Sequence, residues 1–197
     1  MINYKAPDGL KWSAFPDGGT WPWYDGKPIR SVSKILNMIY PLPPGLPQWA
    51  LDRGRMIHSA TVMIDDGTLD WDTLDERLKP FCSAYVAFIE TARPVVEASE
   101  LNVVHPSYSF GARIDRVYRL PGQSRLVVTD IKGGIGKEDR YWLQVAACAM
   151  ALDEANVQDY DLAILNLDKD GNPHFTCADD PGLWLNRWRE ILAKDAA

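Results

Sequence analysis

The chain has 197 residues, 46% of them hydrophobic and 24% charged, enough for one well-packed domain and unlike a disordered tail, a fibre or a collagen. No apolar run approaches the roughly 20 residues that cross a bilayer, and the first residues lack the apolar stretch of a secretory leader, so a cytoplasmic protein without a membrane partner is expected. Cys82, Cys148 and Cys177 are odd in number and far apart, which excludes a disulfide framework and a four-cysteine metal site and leaves them as reduced core residues.

In chain order, residues 1–30 alternate turn signals (Pro7-Asp8-Gly9, Pro16-Asp17-Gly18-Gly19, Asp25-Gly26) with Trp12, Trp21, Trp23 and Tyr24, predicting short strands or irregular hairpins. Ser31 or Ser33 caps a helix with Val32, Ile35, Leu36 and Ile39 at helical spacing, stopped by the prolines of 41–47. Trp49, Leu51, Met56, Ile57, Ala60 and Ile64 predict a second helix, which places Gly54 and His58 on one face and ends at Asp65-Asp66-Gly67. Residues 74–96 predict a core helix carrying Leu78, Phe81, Cys82, Tyr85, Val86, Phe88 and Ile89. Strands follow at 97–104, 110–120 and 125–132, then a helix over 137–154 and an aliphatic strand at 160–167. A turn at 168–172 precedes a short strand, and a last helix begins near Pro181. The order gives an α/β fold, a single domain with a central mixed β-sheet flanked by helices. Its parts are an aromatic segment 1–30, a core 31–167 and a C-terminal strand and helix 168–197.

The chemistry is concentrated around Pro121-Gly122-Gln123-Ser124. If Gly122 and Gln123 form a two-residue type II′ loop, Arg119 pairs with Leu126, Val117 with Val128, and Asp115 with Asp130. Two carboxylates whose β-carbons lie about 4.5–5.5 Å apart repel unless something positive sits between them, and a divalent cation is the natural occupant. Lys132, two residues beyond Asp130, projects from the same face. Two acids and a lysine suit phosphodiester hydrolysis, in which a cation binds phosphate and acidifies water while an ammonium group positions that water and balances charge.

Asp115 within Gly111-Ala112-Arg113-Ile114-Asp115-Arg116-Val117, followed by Asp130-Ile131-Lys132, resembles the acidic and D-x-K motifs of the PD-(D/E)XK nuclease superfamily. Gly54-Arg55-Met56-Ile57-His58 is similar to the G-x-x-x-H motif of its RecB-type, phage-like exonuclease branch, and Gln144 to the glutamine of the Q-x-x-x-Y motif, where Cys148 stands in place of the tyrosine. The resemblance implies a restriction-endonuclease-like core. It makes His58, Asp115, Asp130 and the Ile131 carbonyl metal ligands, Lys132 the catalytic lysine, and Gln144 a positioning residue. Glu100 becomes the additional acid, with Glu97 competing for that place, and Tyr141 a substitute for the missing tyrosine. One or two Mg²⁺ or Mn²⁺ ions are implied, since imidazole beside carboxylates accepts either. The implied partners are DNA and a single-strand-annealing recombination protein, in the cytoplasm of a bacterial host if the chain is phage-encoded.

A net charge of −6 counts against a nucleic-acid partner unless basic residues gather locally. Arg53, Arg55, Arg113, Arg116, Arg119, Arg125, Lys132, Lys137 and Arg140 all fall near the motifs. Of these, Arg55, Arg113, Arg116, Lys137 and Arg140, with Tyr141, are the expected DNA contacts. Gly133-Gly134-Ile135-Gly136-Lys137 is not a P-loop, because the spacing is wrong and Glu138 occupies the place of the Ser or Thr. Asp168-Lys169-Asp170-Gly171-Asn172 imitates a calcium loop without its later ligands and reads as a turn. His105 and His174 have no motif around them. The competing readings are a structural ion-pair network, a catalytically silent DNA-binding or interaction module, and an endonuclease.

Overall fold

A computed structural model describes residues 2, 4, 8–14, 20–41, 44, 45, 47–134 and 139–195. The aromatic segment forms a small antiparallel sheet of β1 (Lys11–Ala14), β2 (Thr20–Tyr24) and β3 (Lys27–Pro28). After β4 (Arg30–Ser31) comes α1 (Val32–Ile39), and the cap is Ser31, whose side chain accepts from the Lys34 amide at 3.2 Å. Then follow α2 (Gln48–Asp65), α3 (Lys79–Ala92), β5 (Val95–His105), β6 (Phe110–Arg119), β7 (Leu126–Lys132) and α4 (Asp139–Asp153). A 3-10 turn (Glu154–Asp159), β8 (Tyr160–Leu167), β9 (Pro173–Cys177) and α5 (Pro181–Asp195) complete the chain.

The helix expected over 74–96 is shorter. Pro80 sits in its first turn, and Arg93 leaves the helix in the left-handed region (φ 48°), because the Pro94 ring disfavours helical geometry in the residue before it. Val95 and Val96 therefore open β5 rather than closing a helix.

The main sheet is mixed, in the order β4-β6-β7-β8-β9 with β5 also paired to β6. β4–β6 and β7–β8 are parallel, and the remaining pairs are antiparallel. The parallel β7–β8 pair needs a crossover, and α4 supplies it. One apolar cluster joins α1, α4 and α5 to Val117, Val128 and Leu162, and a second joins α2 and α3 to Tyr118, Val127 and Ala163. Helices thus cover both faces.

Because β5 pairs with β6 from Phe110 to Ile114 and from Arg116 to Arg119, β4 and β7 share the opposite edge of that strand. β4 meets it only at Phe110 and Gly111, and β7 only from Arg116 to Arg119. Among the described residues, positions 112–115 have no ladder partner on that edge, and the gap is where the motif acid Asp115 lies. The β6–β7 connection also differs from a two-residue loop. The Gln123 amide donates to the Leu120 carbonyl at 3.1 Å and Gly122 has φ 74°, so Pro121 and Gly122 are the central residues, the pattern of a type II turn. Ser124 and Arg125 are taken up in the loop, and the expected register, Val117 against Val128 and Arg119 against Leu126, is retained.

Candidate metal centre and groove

The site is assembled where the β6–β7 ladder stops. Pairing ends at Arg116 with Thr129, one step before Asp115 would meet Asp130. From there β7 leaves its neighbour, and the Asp115 carboxylate fills the space by accepting the Ile131 amide at 2.7 Å. Asp115 and Asp130 are therefore not a directly facing pair.

On the other side of β6, Ser99 pairs with Arg116 and Leu101 with Ile114, bracketing Glu100 and Asp115. Glu100 has φ 47°, a left-handed conformation inside a strand that costs a non-glycine residue about 1–3 kcal/mol and that surrounding contacts must impose. Its Oε1 lies 3.7 Å from Nδ1 of His58, which is itself 3.2 Å from Asp115 Oδ1. Ligand atoms of His58, Glu100 and Asp115 all fall within 4.8 Å of one another. Of the two glutamates, Glu100 lies at the cluster, whereas Glu97 pairs with Arg119 at 2.8 Å. His58 arrives from α2. Gly54, one turn earlier, lines the same groove, and a Cβ there would meet nothing within 4 Å, so the glycine keeps the wall beside the imidazole low.

Asp130 and Lys132 form a second part of the site. Lys132 Nζ is 2.7 Å from Asp130 Oδ2 and 3.3 Å from Gln144 Oε1 on α4, and it stands 5.0 Å above the Tyr141 ring. Ile131 enters through its amide, as described. Electrostatics follow from burial. Desolvation works against a charged His58, but the Asp115 carboxylate, the contact with it and the neighbouring Glu100 carboxylate outweigh it and lift the imidazole to about 10. Desolvation would raise Asp115, yet His58 and Lys132 hold it down at about 2. Asp130 goes the other way, because burial and the charge of Asp115 exceed the help of Lys132 and carry it to about 6. The two acids thus differ because Asp115 faces His58 while Asp130 is buried beside another carboxylate.

A groove of about 1070 Å³ opens over these groups, with Trp12, Arg55, Arg113 and Gln144 in its lining. Arg55 and Arg113 are 60% and 54% exposed, the latter 3.1 Å from Glu100. Several other expected DNA contacts are placed elsewhere. Arg116 is 0% exposed and cannot touch a ligand in the groove. Arg140 turns back to α1, donating to the Tyr40 carbonyl and to Asn37. Of the other basic residues near the motifs, Arg53 donates to the Gly133 carbonyl at 3.0 Å, and Arg125 lies beside Asp161. Lys137 is outside the described residues. Gly133 serves packing, since a Cβ there would come within 2.3 Å of Ile57. Cys148, in place of the motif tyrosine, is buried at the groove wall, whereas Cys177 is exposed rather than a core residue. His105 pairs with Glu154 and His174 with Asp168. Sequence reasoning missed Thr61 and Asp65 beneath the site, although both lie on the helix of His58 at three and seven residues' spacing, a helical repeat that carries the signal.

No family model and no curated protein matches the chain. Among solved structures it is similar to an alkaline exonuclease (LHK-Exo) from Laribacter hongkongensis, with a TM-score of 0.45 and 13% identity over 83% of this chain and 84% of that one. It is likewise similar to LHK-Exo in complex with dAMP, with a TM-score of 0.44 and 14% identity over 84% and 85%.

Proposed function

We propose that the chain is a divalent-metal-dependent deoxyribonuclease, an exonuclease of phage-type recombination or DNA processing. The observation that carries the reading is the convergence of His58, Glu100 and Asp115 from three separate elements, next to a lysine held by Asp130 and Gln144. The donor set fits a divalent cation: one imidazole and two carboxylates, with the buried Glu100 Oε1 lacking a hydrogen-bond partner. His58, Glu100 and Asp115 would hold the ion, with Asp130 and the Ile131 carbonyl completing the expected set. A cation bound there supplies Lewis-acid stabilisation of the phosphoryl oxygens and a more acidic water.

The chain's own residues do the rest. Lys132, fixed between Asp130 and Gln144, orients the attacking water and offers positive charge to the transition state. Arg55 and Arg113, exposed along the groove, bind flanking phosphates. Tyr141 supports the lysine from below rather than standing in for a DNA contact. A net charge of −6 is compatible with this reading, since the ligand carboxylates would be offset by the ion.

The test is cleavage of end-labelled linear duplex and of closed circular DNA with Mg²⁺ or Mn²⁺, with and without EDTA. Mononucleotide or short products from the linear substrate, no attack on the circle and complete loss in EDTA are expected. Attack on the circle makes the protein an endonuclease. A second reading, a catalytically silent module, is favoured by one observation: His58 with Asp115 and Lys132 with Asp130 already satisfy each other as ion pairs. Absence of cleavage with both metals would establish it.

A further inference from the structure

We infer that Arg116 is a positioning residue that sets the geometry of all three members of the His58–Glu100–Asp115 cluster from beneath the sheet. The inference rests on the metal-centre reading above and deepens it. A fully buried guanidinium is expensive unless every nitrogen is used, and here each is. Nε is 2.7 Å from Asp65 Oδ2, Nη2 donates to the Thr61 hydroxyl at 3.2 Å, and Nη1 donates to the Asp115 carbonyl at 2.6 Å. Nη1 also lies 3.6 Å from Glu100 Oε1, the oxygen that faces His58.

Each cluster residue is reached by a separate route. Asp115 is held by a hydrogen bond to its own carbonyl, and Glu100 by the charge of Nη1, 3.6 Å from Oε1 and beyond hydrogen-bond distance. His58 is held through α2, because the Thr61 hydroxyl that accepts from Arg116 donates in turn to the His58 carbonyl at 2.8 Å. Asp65, on the same helix, is held from the far side by the Tyr85 hydroxyl, which is 3.0 Å from the Tyr118 hydroxyl. One planar group therefore ties α2, β5 and β6 together at the level where the β6–β7 ladder opens and Glu100 adopts its left-handed backbone. Only the fork of an arginine spans three directions at once, and a lysine places the same charge on a single nitrogen.

Arg116→Lys is expected to weaken Mn²⁺ binding, measured by calorimetry on the whole chain, by about tenfold or more, the usual cost of losing a partner that orients metal ligands. At saturating Mn²⁺ the variant should show lowered kcat with KM for DNA unchanged, since Arg116 does not reach the groove. Thr61→Val, which cuts only the route to His58, should give a smaller loss of Mn²⁺ affinity and decides the matter if Arg116→Lys does not fold. Wild-type affinity and kcat in folded variants overturn the inference while leaving the metal centre standing. A wild-type protein that binds no Mn²⁺ overturns both.

Discussion

Among the described residues two aspartate–histidine pairs have similar lengths and contrasting surroundings. At the β8–β9 turn, Asp168 lies 3.0 Å from His174 and also accepts from the amides of Asp170 and Asn172. All its partners come from the next six residues, and its carboxylate is consumed in shaping a turn. At the end of the β6–β7 ladder, Asp115 lies 3.2 Å from a histidine on a distant helix, beside a second acid in a left-handed conformation whose buried Oε1 has no hydrogen-bond partner. A pair closed by local backbone is structural. A pair joined across two distant elements, beside an acid from a third whose buried oxygen lacks a hydrogen bond, is what the proposed metal centre requires.

Substitutions at the two places sharpen the contrast. Asp115→Ala should lower metal-dependent cleavage by roughly a thousandfold or more while far-UV circular dichroism remains native, and Asp130→Ala and Lys132→Ala should do the same, because such groups act as a unit on the transition state. Appreciable cleavage in the Asp115 variant would break the assignment. Glu100→Gln should cost about tenfold or more in Mn²⁺ affinity by calorimetry, being the loss of one charged ligand.

Asp168→Asn should leave cleavage within about twofold, as a change outside the reacting unit does, and should act on stability instead. The hydrogen bonds from His174 and the Asn172 amide hold the Asp168 carboxyl below its ordinary range. Its contribution is therefore present above the unfolded value of about 3.9 and is lost as pH falls through the lower folded value. Melting curves of wild type and variant should differ at neutral pH and converge in acid; a constant difference would contradict this origin. Smallest of all, Glu97→Gln should not move Mn²⁺ affinity, because Glu97 faces Arg119, and any loss matching that of Glu100→Gln would return the accessory acid to an open question.

Much of the fold was legible because it is written in local patterns. A serine cap at 31 or 33, the 160–167 strand and the hairpin register follow from spacing and turn chemistry within a few residues. The turn type was misread because Pro121-Gly122 and Gly122-Gln123 are both good turn pairs, and only the Leu120–Gln123 hydrogen bond distinguishes them. The long helix failed at Pro94 and the residue before it. In the site, Asp115, Asp130, Lys132 and His58 stand in short motifs, whereas Arg116 and Arg113 look alike in sequence and end up with one sealed and the other on the groove.

The sequence by itself determined which chemical groups are available and which strands and helices carry them, because alternation, helical repeat and turn preference act over a few residues. Tertiary structure alone decided that β7 parts from β6 one pair before the two aspartates meet, that Glu100 rather than Glu97 joins His58, and that Arg116 is spent inside the protein. Those outcomes depend on contacts between residues that packing brings together across tens of positions, and no local pattern records them.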